Sequence, residues 1–440
     1  MVNTGDTAWV LVSTALVLLM TPGLALFYGG MVRTKSVVNM MMMSFGALGT
    51  VTVLWVLFGY SVAFGDDVHS GLLGDPRQFF GLKGLMLDTT SDVGGVPVMA
   101  FVAFQCVFAV ITVALISGAV ADRARFGTWL LFTGVWATLV YFPVAHWVFD
   151  LTTGDGAHVG GWVVNRLGAL DFAGGTAVHV NAGAAGLALA LVLGRRVGLG
   201  REAMPPHNTT LVMAGAGLLW FGWFGFNAGS ALAANNTAAV VVVTTLAATA
   251  AGMLGWLATD RLRGRAPSAL GAASGVVAGL VAITPSCNAV SPLGAVVLGA
   301  VGGGLCALAV ELKHRLGFDD SLDVAGVHLV GGLWGTLSIG LLATSAAPAG
   351  VDGLFYGGGA DQLWRQAVGA GAVLAFSFTL TYVIGAVLHR LVGFRVPVET
   401  EVAGIDLAEH GVGGYVLSGE QPEGDLWDVA VEDELSETAL

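Results

Sequence analysis

Sorted into apolar and polar positions, the chain is a succession of long apolar runs separated by short polar stretches. The runs lie near residues 8–31, 38–64, 97–121, 127–149, 172–194, 209–233, 237–258, 268–284, 291–312, 325–345 and 366–391. A hydrocarbon core of about 30 Å needs roughly 20 apolar helical residues, and most of these runs meet that length. Backbone groups in lipid must be satisfied internally, and unbroken apolar runs lack the alternation of a membrane β-barrel. The pattern predicts an all-α integral membrane protein with eleven transmembrane helices over residues 1–395, and a polar tail over 396–440. An odd number of spans puts the termini on opposite sides.

Charge supplies the orientation. Only 11% of the 440 residues are charged, against about 25% in a soluble protein. Fourteen of the 18 Lys and Arg residues fall on one side of the eleven-span arrangement, from Arg33 and Lys35 to Arg390 and Arg395; the other side has Arg77, Lys83, Arg166 and Arg365. The positive side is expected to face the cytosol, with the N-terminus outside and the tail inside. Twelve of the 30 acidic residues follow Arg395, where no Lys or Arg occurs, and they account for the whole net charge of −12. The membrane body is therefore balanced and the tail acidic, which disfavours nucleic-acid binding. An acidic tail and only three lysines suggest a salt-loving source. Met1–Thr7 has no basic stretch, so no cleavable signal is expected. Cys106, Cys287 and Cys306 sit in or beside apolar runs with no C-x-x-C pair and read as small core residues.

Two runs resemble each other. The fifth opens Asp171-Phe-Ala-Gly-Gly-Thr-Ala-Val-His179, and the tenth Asp320-Ser-Leu-Asp-Val-Ala-Gly-Val-His328. In the predicted topology they enter from opposite sides, as in an inverted five-plus-five repeat with one extra helix, whose substrate site lies near midplane. Each histidine follows its acid by eight residues. At about 1.5 Å per residue that is about 12 Å, close to the half-thickness of the core. A lone intramembrane histidine is as readily explained by a bond to a neighbouring helix. Two at matched depth in related helices point to function. No Cys, Asp or Glu shares that depth, so no metal site and no cofactor is expected. His146, His314 and His389 fall near membrane ends and read as interfacial; His69, His158, His207 and His410 read as solvated.

Five stretches make the chain resemble the ammonium transporters of the Amt/Mep/Rh superfamily, on the Amt side. They are Asn3–Trp9 running to Pro22–Gly30, Phe104-Gln105 to Phe108 with Ala119–Arg123, Asp171–Asn181, Gly222–Ser230, and Asp320–Gly332. Gly404-Ile-Asp-Leu-Ala-Glu-His-Gly411 resembles the family's C-terminal motif. The resemblance implies a plasma-membrane homotrimer with a pore in each subunit, carrying ammonium or ammonia and its analogue methylammonium. It implies substrate recruitment at Ser230, Phe108 and Phe149 near Asp171, a gate at Phe108 and Phe226 with Phe104 close by, and a pore lined by His179, His328 and Trp223. It also implies a PII-type regulatory protein as a partner on the cytoplasmic face. One departure stands out: His146-Trp-Val-Phe149 carries phenylalanine where the family usually has tryptophan, with Trp147 and Trp162 as candidates to compensate.

The chemistry fits these residue types. Dehydrating a monovalent cation costs many kcal/mol. Aromatic faces offset about 0.5–2 kcal/mol each. A serine hydroxyl can accept an N–H, and a nearby carboxylate favours the cation through its field. Asp171 also stands at a helix start, where an acid caps free N–H groups. Beyond such a site, stacked phenylalanines exclude water and ions, so neutral ammonia is the species that crosses most cheaply. Other readings are a channel for another small neutral solute, an ammonium sensor signalling through its tail, or a membrane enzyme. No Asn-Pro-Ala pair, following soluble domain or nucleophile–base set supports them.

Overall fold

The computed structural model describes residues 2–87 and 95–415. The end of the tail, expected from about Gly419 to be solvated, lies outside them. Among the described residues, ten helices are long and apolar enough to cross a membrane: α1 (Thr4–Met31), α2 (Thr34–Phe64), α3 (Val98–Val120), α4 (Phe126–Phe149), α5 (Gly175–Leu193), α6 (Thr209–Gly229), α7 (Asn236–Leu262), α9 (Pro292–Leu316), α10 (Ala325–Leu342) and α11 (Asp361–Leu391). Between α7 and α9 runs α8 (Ala269–Ile283), apolar and mostly buried but only 15 residues long. At 1.5 Å per residue that is about 22 Å, less than a full hydrocarbon core. Among the described residues the only β pairing is isolated bridges.

The helix starts follow from capping. Asn3, Asn208, Asn235, Ser268 and Ser291 each accept first-turn backbone N–H groups of α1, α6, α7, α8 and α9, and Pro292 occupies the first turn of α9.

α5 and α10 form the centre. Each opens with π-helical turns, Gly175–Val180 and Ala325–Leu329, and these turns carry His179 and His328. One turn further along each helix stands a glycine, Gly183 and Gly332. A Cβ on Gly183 would lie 2.3 Å from the Leu329 nitrogen; one on Gly332 would lie 2.9 Å from the Gly175 oxygen and 3.1 Å from the His179 Cβ. The helices therefore cross in backbone contact, each glycine seating the histidine turn of the other.

The described tail carries two short helices, α12 (Val398–Ala403) and α13 (Ile405–His410). Its acids cap the membrane body. Asp406 accepts from Val38 and Asn39 N–H at 2.9 and 2.8 Å, Glu409 from Phe126 N–H at 2.9 Å, and Glu401 from Val197 N–H at 2.6 Å. Lys35 donates to the Val402 carbonyl. Beneath this contact lies a buried network: Arg196 bonds Asp319 and Asp122, and Arg123 donates to the Asp319 carbonyl and Ser321. We call this the tail face and the opposite end the far face.

Candidate functional site

At the far face a vestibule of about 390 Å³ is lined by Phe104, Gln105, Phe108, Phe149, Asp171 and Ser230, among others. Phe104 and Phe108 come from α3, one turn apart, with ring centroids at 4.9 Å. Phe149, the last residue of α4, meets Phe108 edge to face at 6.3 Å and 89°. Ser230 caps the end of α6 and donates its hydroxyl to the Phe226 carbonyl at 2.8 Å. With that hydrogen committed, the oxygen is left to accept.

Asp171 is spent on backbone. Its carboxylate accepts from the N–H groups of Gly174, Gly175, Thr176 and Ala177 at 2.7–3.0 Å. Asp320 accepts from Val324 and Ala325 in the same way at the other end. Each acid thus fixes the start of a histidine-bearing helix.

Below the vestibule Phe108 and Phe226 stack at 4.1 Å and 8°, both almost fully buried. They close the way to a narrow lumen of about 10 Å³, lined by Phe27, Ile111, His179, Trp223, Val277 and His328, among others. That is room for one water-sized molecule. His179 stacks on Trp223 at 5.3 Å, and Trp223 is held by an N–H bond to the Thr284 hydroxyl. His179 and His328 lie near-parallel, Nδ1 to Nδ1 at 3.2 Å. Past His328, towards the tail face, a cavity of about 560 Å³ is bordered by Asp122, Arg196, Lys313, Ser321 and Asp323.

The structure thus brings Phe104, Phe108, Phe149, Asp171 and Ser230 to one cavity, and Phe226, Trp223, His179 and His328 to the lumen beneath it. Trp147 and Trp162 do not line the vestibule; they pack on each other at 5.8 Å, and Trp147 also on Phe376. His146 needs correction. It is fully buried rather than interfacial, with Nδ1 3.2 Å from the Ala63 carbonyl and 3.1 Å from Asp150. Its helix end is roofed by the 65–79 and 151–161 loops, which hydropathy alone does not reveal.

Comparison with known proteins identifies the family. Residues 8–415 match the model of the Ammonium Transporter Family. An "Ammonium transporter" of Mycobacterium tuberculosis is 60% identical over 431 residues, covering 93% of this chain and 90% of the relative. Among solved structures, Saccharomyces cerevisiae Mep2 is similar with a TM-score of 0.82 and 36% identity, covering 90% of this chain and 91% of that one. A chain titled "Sensor Amt Protein" gives 0.84 and 28%, covering 92% and 98%. The chain is a multi-pass membrane protein belonging to the ammonium transporter family.

Proposed function

We propose that this ammonium transporter takes up NH4+ in the far-face vestibule, strips a proton from it, and passes NH3, with or without the proton, along the histidine pair. The observation that carries the reading is the 3.2 Å Nδ1–Nδ1 contact beneath a stacked phenylalanine plug. Two imidazoles sharing one proton between their Nδ1 atoms must differ: one Nδ1 donates and the other accepts. The donor ring then keeps a bare Nε2 and the acceptor ring an Nε2–H. Ammonia both accepts and donates, so it matches the pair. Potassium does neither and would be left dehydrated in an apolar lumen.

Recruitment rests on Ser230, whose free lone pairs face the cavity, and on the faces of Phe108 and Phe149, worth about 0.5–2 kcal/mol each. Asp171 acts by its field, since its oxygens are already engaged. Phe104 and Trp223 hold the gate and the lumen in shape. Around this core we propose eleven spans, α8 being the short one, in an inverted repeat with the N-terminus outside and the basic tail face in the cytosol. We also propose a homotrimer and docking of a PII-type protein on that face. The likeness to a sensor Amt favours one second reading, in which ammonium binding is signalled through the docked tail.

Ammonium-jump currents in proteoliposomes test the recruitment site. Ser230→Ala and Phe149→Ala should raise the half-saturating concentration about three- to tenfold, with maximal current changed less than twofold. Unchanged half-saturation in both would move recruitment elsewhere.

A further inference from the structure

We propose that the groove between α2 and α4 at the tail face is a lipid site. It holds one anionic phospholipid, with its acyl chain along Gly46 and Gly49 and its phosphate on Arg125. Both helices begin at that face, where tail acids cap them through Val38, Asn39 and Phe126. From there a groove of about 540 Å³ runs between Phe45, Gly46, Gly49 and Val53 on α2 and Phe126 and Leu130 on α4. Small residues in a span usually let a neighbouring helix approach. Leu130 does so at Gly46, where a Cβ would lie 2.6 Å from its Cδ2. At Gly49 nothing approaches, and a Cβ there would have no neighbour within 4 Å. Phe45 and Val53, one turn to either side, stand exposed and wall the opening.

Length and charge select the occupant. The α2 lining runs from Met42 to Leu54. At 1.5 Å per residue that is about 18 Å, against about 15 Å for half a hydrocarbon core. The groove therefore matches the acyl chain of one leaflet, whereas a second transmembrane helix would ask for the full thickness. One residue before α4 stands Arg125, half-buried, its guanidinium without a hydrogen bond or ion pair among the described residues. Its neighbours are spent, Arg123 on Asp319 and Arg395 on Glu401. Glu409 serves the Phe126 N–H and forms no ion pair with Arg125. A free cation at the rim of an apolar trench between spans is what an anionic head group recognises. Occupancy also reaches the tail. Phe126, the wall of the groove at that end, meets the His410 ring edge to face at 5.0 Å and 63°. His410 Nε2 in turn lies 2.9 Å from the Asn39 Oδ1. A chain in the groove supports Phe126 against His410 and so helps to hold the docked tail.

The test places the full chain in phosphatidylcholine nanodiscs carrying a small fraction of phosphatidylserine or phosphatidylcholine with a diazirine on the acyl chain. Labelled residues are mapped by peptide mass spectrometry. The serine lipid is expected to label residues 45–53 and 126–130 about three- to tenfold more than the choline lipid. Arg125→Gln should abolish that preference. Gly49→Leu, which fills the trench where there is space for a side chain, should remove labelling by both lipids. Equal labelling by the two lipids in the wild type would mean ordinary boundary lipid and overturn the proposal. A preference that survives both variants would overturn it too. A groove left unlabelled while protein cross-linking joins it to a second copy would assign it to a subunit contact instead. Amide exchange over residues 405–410 tests the link to the tail. Exchange should be slower in the serine-lipid discs, and Gly49→Leu should cancel the difference; identical exchange of the wild type in both discs would overturn that link.

Discussion

Placing a methyl group at either crossing glycine should separate the two imidazoles, by amounts that the backbone contacts rank. An alanine Cβ at Gly183 would meet the Leu329 nitrogen at 2.3 Å and its Cα at 2.7 Å, where ordinary contact begins near 3.4 Å. These are backbone atoms with no rotamer to yield, so α10 must retreat by about 1 Å next to His328, at an overpacking cost of about 1–3 kcal/mol. The Nδ1–Nδ1 distance of 3.2 Å would then pass about 4 Å, beyond hydrogen bonding. At Gly332 the closest atoms lie at 2.9 and 3.1 Å, so a shift of a few tenths of an ångström is enough. Leaving a buried ring nitrogen unpaired costs about 1–3 kcal/mol, and 1.4 kcal/mol is tenfold. We expect Gly183→Ala to lower methylammonium uptake per folded protein about ten- to a hundredfold, and Gly332→Ala about two- to threefold. Radiolabelled uptake into proteoliposomes, normalised to monodisperse protein, measures both. Wild-type uptake in Gly183→Ala, or the reverse ranking, would refute the argument that backbone contact sets the spacing of the histidines.

Restoring the larger aromatic with Phe149→Trp should lower the half-saturating ammonium concentration about twofold to fivefold, since tryptophan is the better cation–π partner; no change in currents would count against Phe149 facing the cation. At the far face both ring nitrogens of His158 meet carboxylates, Asp150 at 2.9 Å and Asp66 at 2.7 Å, which requires the charged ring and raises its pKa to about 9. A raised folded-state pKa stabilises fully below the ordinary value near 6.5 and is lost as pH rises through about 9. Without substrate, His158→Gln should therefore lower Tm by about 2 °C at pH 6 and by nothing above pH 9.5; a pH-independent difference would contradict the ion-pair clamp.

The histidine pair was legible because its signal is local: an acid, eight residues and a histidine, twice, on helices long enough to give depth. The phenylalanines were legible only through the family likeness, since one aromatic in a lipid-soluble helix looks like another. Other features depend on partners distant in sequence. The acids Glu401, Asp406 and Glu409 entered the sequence as surplus charge, and the fold spends them on N–H groups at residues 197, 38–39 and 126. Arg123 and Arg196 pointed to orientation as loop charges, yet both are buried as braces against Asp319 and Asp122. The π-helical turns under His179 and His328 left no trace in hydropathy, because widening a turn by one residue leaves the apolar composition unchanged. The same blindness hid the burial of His146.

The central claim is that substrate crosses by way of the two imidazoles. Solid-supported-membrane currents evoked by ammonium jumps, recorded for wild type, His179→Ala, His328→Ala and the double variant, with potassium jumps as control, test it most directly. The account predicts that each single variant loses the ammonium current or loses its discrimination against potassium, and that the double variant behaves no worse than the more impaired single one. Currents of wild-type size and selectivity in both single variants would contradict it.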